Sequence, residues 1–259
     1  ILCGQGNRKL VSKTCVSIVG TRRATAYGKS ITAQIVQVLA PYDVLFVSGL
    51  AYGIDSVVHT TADRLQAGSV GVIAASLLHQ NWGGNAELKQ QLSEQHLFLS
   101  ETNSDERVQR FHFAKRNRLI AGLSKWTIVV EAPLGSGALI TARLARDEGR
   151  EVLVVPHSLD QPMGEGCLLL INDGAQIVVQ VSDIPRLLNF TDVKQKTILQ
   201  FRYASELEKT VHQLMLSGNS IESIADKLAI ASSELLTVLT DLMLKGYLIQ
   251  NADGSYQVS

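Results

Sequence analysis

Residues 15–40, CVSIVGTRRATAYGKSITAQIVQVLA, predict a buried strand, a loop and an amphipathic helix in that order. The run Cys15–Val19 is short, apolar and β-branched, which is typical of a strand buried on both faces. After the loop Gly20–Tyr27, apolar residues return at helical spacing as far as Ala40, and Pro41 ends the pattern. The stretch therefore predicts one strand–loop–helix unit.

The same alternation continues along the chain. Further short apolar strands are predicted at 44–47, 70–75, 97–100, 127–130 and 151–155, and helices at 53–67, 85–94 and 138–148. Short strands that alternate with helices of ten to fifteen residues predict a parallel sheet with helices on both faces. The fold class is therefore α/β, a Rossmann-like doubly wound sheet whose binding loops lie at the carboxyl ends of the strands.

The composition changes after about Val181, which predicts a second, smaller domain. Residues 1–182 form the predicted Rossmann-like domain, and the polar stretch 183–204 is interpreted as a linker. In 205–259, two helices at 220–228 and 232–245 precede a hairpin around Asp253-Gly254, the pattern of a winged helix. This unit has three lysines, no arginine and seven acidic residues, so we interpret it as a protein-contact module rather than a duplex reader.

Bulk composition limits the functions that need considering. The 259 residues have a net charge of zero, so a nucleic-acid site has to be a local patch. Three cysteines without a CxxC pair argue for a reducing cytoplasm and against a zinc site, and no metal or cofactor is expected. We find no signal peptide and no apolar run of the ~18–20 residues that a membrane span needs. Because the first methionine is Met163, the chain is expected to be part of a longer protein.

A basic stretch, FHFAKRNRLIAGLS at 111–124, is the strongest candidate for a binding site. Phe111 and Phe113 lie among four cations: Arg110, Lys115, Arg116 and Arg118. Cations interleaved with aromatic rings suit a protein that holds phosphates and stacks bases. The alternative is a solvated helix face with an apolar underside, and core packing for both phenylalanines.

The loop Gly20-Thr21-Arg22-Arg23 offers a free backbone, a hydroxyl and two guanidiniums at the start of a helix, which suits a phosphate. A dinucleotide fingerprint is excluded because position 22 is Arg, and a P-loop is excluded because its first glycine would fall at position 23. The arginines could also simply be solvated.

Two further loops leave alternatives open. Ser48-Gly49 opens a second strand-to-helix loop, in which Asp55 and His59 could form a catalytic pair or could cap and pack. In the third loop, backbone amides of Gly135, Ser136 and Gly137 could contact a phosphate. Glu131 could then be a general base, as in an enzyme that hydrolyses nucleoside monophosphates, or a helix cap.

Together these blocks resemble the DNA-processing protein A family (DprA, also called Smf). The matching pieces occur in family order: VGTRRATAYG (19–28), SGLAYGID (48–55) with His59, KRNRLIAGLS (115–124), VVEAPLGSGALITA (129–142), GREVLVVP (149–156) and LLINDGAQIV (169–178). The unit 205–259 resembles the family's C-terminal winged-helix domain.

The resemblance implies a non-catalytic bacterial protein of the cytoplasm, with an extended Rossmann fold and usually a homodimer. It implies binding and protection of single-stranded DNA, and loading of the recombinase RecA during natural transformation. The implied phosphate-binding residues are Gly20, Thr21, Arg22, Ser48, Gly49, Lys115, Arg116, Asn117 and Arg118, with help from Gly135, Ser136 and Gly137, and Arg23 adds a second guanidinium. Candidate stacking residues are Tyr52, Phe111 and Phe113.

The sequence departs from the family pattern at the rim of this pocket. Tyr52 stands where the family commonly has Arg, Ala114 where it has Pro, and His157 and Leu168 where it has Gly and Asn. The segment 81–85 is a degraded form of a Tyr-Pro-x-x-Asn block. Since Arg22 and the cluster at 115–118 are kept, DNA binding is expected to persist with an altered rim.

Overall fold

The chain folds into two compact units, Ile1–Ile198 and Leu199–Ser259. The computed structural model describes residues 2–78, 85–92, 95–102, 108–190, 205–216, 219–244, 247–250 and 256–258. The departures predicted at 81–84 and the hairpin turn at Asp253-Gly254 lie outside these residues.

The first unit is built on one eight-stranded sheet. Its strands are β1 (Cys3–Gly6), β2 (Cys15–Val19), β3 (Leu45–Ser48), β4 (Ser69–Val72), β5 (Leu97–Ser100), β6 (Trp126–Val129), β7 (Glu151–Val154) and β8 (Gln176–Ile177). Their order across the sheet is β1-β5-β4-β3-β2-β6-β7-β8. Strands β2 to β8 run parallel, and β1 pairs antiparallel with β5. The α/β class and the parallel sheet are thus confirmed, with an antiparallel strand added at one edge.

Helices cover both faces of this sheet. They are α1 (Ala26–Leu39), α2 (Ile54–Arg64), α3 (Ala86–Leu92), α4 (Arg110–Leu123), α5 (Gly137–Asp147), α6 (Glu165–Asn172) and α7 (Ile184–Leu187). Successive strand residues point to opposite faces. Accordingly Ile18 of β2 packs with α1 and α2, while Val19 packs with α4 and α5. Among the described helices, none combines the length and apolarity needed to cross a bilayer.

The segment after β8 differs from the expected linker. Ile184 and Leu188 are completely buried in the core beneath α1, and the ring of Phe190 stacks on Tyr42 with centroids 5.4 Å apart. Although 183–196 is polar on average, the apolar residues of 183–190 recur at helical spacing and so form one buried face. The first unit therefore continues at least to residue 190, and the rest of the predicted linker, 191–204, lies outside the described residues.

The second unit contains three helices and a small sheet. The helices are α8 (Glu206–Leu216), α9 (Ile221–Leu228) and α10 (Ser232–Leu244), followed by antiparallel strands β9 (Leu248–Gln250) and β10 (Tyr256–Val258). Val211, Ile224, Leu239 and Leu242 are buried in its own core. The two helices and two strands expected in 205–259 are present, and α8 precedes them.

Candidate functional site

Three loops meet at the carboxyl edge of the sheet, where the chain leaves β2 in one direction and β6 in the other. In doubly wound sheets this switch point is where ligands bind. The backbone N–H of Thr21, after β2, donates to the carbonyl oxygen of Glu131, after β6, at 2.7 Å. The N–H of Ile54 donates to the carbonyl of Thr21 at 3.2 Å. The loops after β2, β3 and β6 are therefore joined through their backbones.

Two glycines make this close approach possible. A Cβ on Gly20 would lie 2.4 Å from the side chain of Ile54. Gly53 has a φ of +81°, and a Cβ there would lie 2.3 Å from the carbonyl oxygen of Thr21. Gly20, predicted as part of a phosphate loop, thus serves the packing of one loop against another.

The arginines of the first loop face solvent, and its threonine does not. Thr21 is buried, and its hydroxyl accepts a hydrogen bond from the backbone N–H of Arg23 at 3.2 Å. Arg22 and Arg23 are exposed. The guanidinium of Arg22 lies over the ring of Phe113, 4.8 Å from its centroid, so this cation is held against α4.

The second loop is tied internally. The hydroxyl of Ser48 donates to the carbonyl oxygen of Ile18 at 2.7 Å, and the N–H groups of Gly49 and Ala51 donate to Asp55 Oδ2 at 3.1 and 3.3 Å. Ser48 and Gly49 were predicted to bind phosphate, but these donors are already engaged. Asp55 therefore caps its own loop rather than pairing with a catalytic histidine.

Arg116 connects α4 to the loops after β3 and β4. It is buried, and its Nη1 donates to the carbonyl oxygens of Gly49, at 2.6 Å, and Val72. Burial lowers the pKa of Arg116 to about 10, although nearby Asp55 raises it. Arg116 is thus still a cation at neutral pH, and its Nη1 is engaged by the two loops.

Asn117 plays a similar part toward α5. Its Nδ2 donates to the carbonyl oxygen of Gly137 at 3.0 Å, at the first residue of that helix. The hydroxyl of Ser136 caps the same helix by accepting from the N–H of Ala138 at 3.2 Å. Gly135 is exposed and has a φ of +72°, and a Cβ there would meet nothing within 4 Å.

The exposed cations of α4 are the ones that can face a ligand. Lys115 is exposed and makes no ion pair with the residues that the structure describes. Arg118 is half-exposed and pairs through Nη2 with Glu101 Oε2, an acidic partner just after β5 that the sequence analysis missed. The basic stretch therefore divides into one buried support, one paired arginine and one unpaired lysine.

Aromatic side chains flank these cations. Tyr52 is 58% exposed and Phe111 is 57% exposed. The Phe111 ring is tilted by 31° against that of His112, with centroids 4.0 Å apart, while Phe113 is half-buried beneath Arg22. Phe111 thus lies at the surface, against the alternative that both phenylalanines belong to the core. Ala114 is exposed as well.

Glu131 holds Thr25, the residue that caps α1. Its two carboxylate oxygens accept hydrogen bonds from the Thr25 N–H, at 2.9 Å, and the Thr25 hydroxyl, at 2.5 Å. The same hydroxyl accepts from the N–H of Gly28 at 3.1 Å, at the start of α1. A carboxylate at a helix N-terminus is stabilised by the helix dipole. The capping alternative therefore describes the geometry of Glu131.

The remaining departures lie farther from the cations. His157 donates from Nε2 to the carbonyl oxygen of Val130 at 2.8 Å and meets Tyr27 edge-on, with ring centroids 5.4 Å apart. Leu168 is half-buried on α6. Both side chains are accommodated without disturbing the joined loops.

A buried polar chain behind the site was not predicted. His59 Nδ1 lies 2.8 Å from Ser69 Oγ, which lies 2.7 Å from His96 Nδ1, and His96 Nε2 lies 3.0 Å from Asp63 Oδ1. These residue types resemble a hydrolase triad, yet Ser69 is completely buried in β4 and no substrate can reach it. Burial, His96 and Arg116 lower the pKa of His59 to about 3. Within the described residues, no group of three or more His, Cys, Asp or Glu is placed to hold a metal ion.

Comparison with known proteins shows the family of the chain and supports its fold. The family model for DNA recombination-mediator protein A matches residues 1–189. DNA processing protein DprA of Bacillus subtilis is 38% identical over 185 residues, 71% of this chain and 62% of that protein. The X-ray structure of DNA processing protein A from Streptococcus pneumoniae superposes with a TM-score of 0.67 at 36% identity, over 71% of this chain and 65% of that one.

A second solved structure extends the comparison. The DNA processing protein A of Helicobacter pylori, studied for its single-stranded DNA binding mode, gives a TM-score of 0.67 at 30% identity. That alignment covers 73% of this chain and 86% of the other. The chain spans less than two thirds of the length of its Bacillus subtilis and Streptococcus pneumoniae relatives.

Proposed function

The chain belongs to the DNA recombination-mediator protein A family, and from this premise we propose that it binds single-stranded DNA along the carboxyl edge of its sheet. The observation that carries the proposal is the contact of Arg22 with Phe113, which joins the exposed cations of the first loop to those of α4. Exposed rings of Tyr52 and Phe111 belong to the same edge. Cations beside open aromatic faces suit a strand whose bases are unpaired.

The proposal divides the predicted site residues by role. Phosphates would be bound by exposed cations, namely Arg22, Arg23, Lys115 and Arg118, with amides of the Gly135–Gly137 loop as a further contact. Gly20, Thr21, Ser48, Gly49, Arg116 and Asn117 would position these groups. The buried charge of Arg116 would add to the positive field without a direct contact.

The experiment is fluorescence anisotropy of a labelled dT oligonucleotide and of a matched duplex, each over a range of salt concentrations. We expect the single strand to bind more tightly, and log K to fall with log salt by about 0.7 for each phosphate contacted. Replacing both Arg22 and Lys115 with Gln should reduce that slope by about 1.4. Lys125→Gln is the matched control, because Lys125 precedes β6 and so lies at the opposite edge of the sheet. An equal reduction of the salt slope in the Arg22/Lys115 variant and in Lys125→Gln would contradict the proposed location.

We further propose that the protein protects single-stranded DNA in the bacterial cytoplasm and helps load RecA during natural transformation, as a homodimer. The support is family membership alone. The chain spans only part of the length of its relatives, so these activities are proposals for it. ATP hydrolysis by RecA on DNA coated with single-strand-binding protein should start sooner when this protein is added. Light scattering should give twice the mass of the chain, which is 28.1 kDa.

We also propose that 205–259 is a winged-helix domain that contacts protein rather than duplex DNA. The support is the order of three helices and two antiparallel strands, together with the excess of acidic over basic residues. A chain ending at residue 204 should bind duplex as weakly as the full chain. A clear loss of duplex binding on truncation would contradict this proposal.

A further inference from the structure

Glu101 places a carboxylate among the cations at the carboxyl edge of the sheet. It directly follows β5, and its backbone is fixed through Ser100, whose hydroxyl donates to the carbonyl oxygen of Ala75 at 2.5 Å and accepts from the N–H of Thr102 at 3.0 Å. The position of Glu101 is therefore set by the sheet and not by its pairing with α4.

The carboxylate lies beside the cations that the proposed function assigns to phosphate. Its Oε2 accepts from Arg118 Nη2, and its side chain lines the same small pocket as Lys115 and Arg116. The side chains of Arg118 and Glu101 are 45% and 26% exposed. The pair is thus accessible to solvent, and an ion pair of this kind is weak enough for another anion to exchange into it.

We propose that Glu101 competes with the DNA backbone for Arg118 and so limits the affinity of the site for a single strand. This inference rests on the proposed function. A guanidinium binds carboxylate and phosphate in the same forked geometry, so the two anions exclude each other at Arg118. A strand gains the Arg118 contact only by displacing Glu101, and the displaced carboxylate then repels the phosphates near Lys115.

The experiment compares dT binding by the full-length wild type, Glu101→Gln, Arg118→Gln and the double variant, over the same range of salt concentrations. Glu101→Gln should bind about two- to fivefold more tightly than wild type. Its salt slope should be steeper by up to about 0.7, because Arg118 is then free to neutralise one more phosphate. Asp147→Asn is the matched control: Asp147 is an exposed acid at the end of α5, at the opposite edge of the sheet, and its loss should leave affinity unchanged.

The double variant separates competition for Arg118 from simple charge repulsion. If Glu101 acts by occupying Arg118, the gain from Glu101→Gln should largely disappear once Arg118 is replaced. An equal or larger gain in the Arg118→Gln background would overturn the proposal, as would unchanged affinity of Glu101→Gln. Failure of the wild type to bind dT at low salt would instead contradict the proposed function itself. Matching thermal unfolding curves would exclude misfolding as a cause.

Discussion

The guanidinium of Arg116 and the carboxylate of Asp55 converge beneath Gly49. A Cβ on Gly49 would lie 2.6 Å from Arg116 Nη1 and 2.7 Å from Asp55 Oδ2. Burial raises the pKa of Asp55, and the nearby Arg116 opposes part of that rise. Each charge therefore offsets part of the cost of burying the other. Removing either alone leaves an uncompensated buried charge, so both residues have to be treated as one structural unit.

His59 links the stability of the protein to pH. Its pKa is lowered from 6.5 to about 3 by burial first, and then by His96 and Arg116. Between these values the unfolded chain binds a proton on His59 and the native chain does not. The part of the free energy of unfolding that depends on His59 is therefore highest above about pH 6.5. It decreases as pH falls, by at most about 1.4 kcal/mol per pH unit.

The expected result is a loss of about 2 kcal/mol at His59 between pH 7 and pH 5, measured as the free energy of unfolding in urea. His59→Gln should lack this part of the pH dependence, whatever its stability at pH 7. Identical pH profiles for His59→Gln and wild type would show that His59 is not held neutral.

Among the elements, the joined loops depend on Gly53. Gly53→Ala should cost more than the ~1–2 kcal/mol of a left-handed backbone, because its Cβ would also overlap the carbonyl oxygen of Thr21. Gly135→Ala is the matched control, with a φ of +72° but open space around the Cβ. It should lower the free energy of unfolding only by the contribution of the backbone conformation. Urea unfolding measures both, and equal losses would mean that the loops are not in close contact.

Glu131 links β6 to the start of α1. One variant, Glu131→Ala, distinguishes a structural role at the helix start from a role as a general base. Glu131→Ala should lower stability by about 1–2 kcal/mol through loss of the Thr25 hydrogen bonds, and dT binding should change little. Urea unfolding and anisotropy measure the two effects. Release of free base from a nucleoside monophosphate by wild type, abolished in the variant, would favour the hydrolase alternative instead.

Elements with a buried face could be predicted from the sequence, and those without one could not. β5 and the helical span of α4 follow from their apolar residues. β1 was missed because Cys3–Gly6 contains two glycines and lies at the edge of the sheet, half-exposed. In the first half of α4 the polarity is inverted, since Arg116 and Asn117 are buried and Phe111 is exposed, whereas Ile120 and Ala121 farther along are buried as expected. Those orientations depend on carbonyl oxygens of distant loops, which local periodicity does not report.

For the whole molecule, the boundary of the first unit has a measurable consequence. A chain ending at residue 183 lacks Ile184 and Leu188, both completely buried, and also Phe190. At ~1.5–3 kcal/mol for each fully buried apolar side chain, it should be less stable than a chain ending at residue 190 by at least about 3 kcal/mol. Thermal and urea unfolding of the two chains test this, and equal midpoints would place the boundary before α7.

The order of the strands also determines when the molecule can fold during synthesis. The centre of the sheet pairs β2 with β6, and the hydroxyl of Ser17 on β2 donates to the carbonyl oxygen of Ile120, 103 residues later in the chain. Contacts between such distant residues are slow to form because a long loop has to close first. On the ribosome, β2 keeps one apolar edge unpaired until β6 has emerged. The nascent chain is therefore most exposed to aggregation and to chaperones during translation of the segment between them.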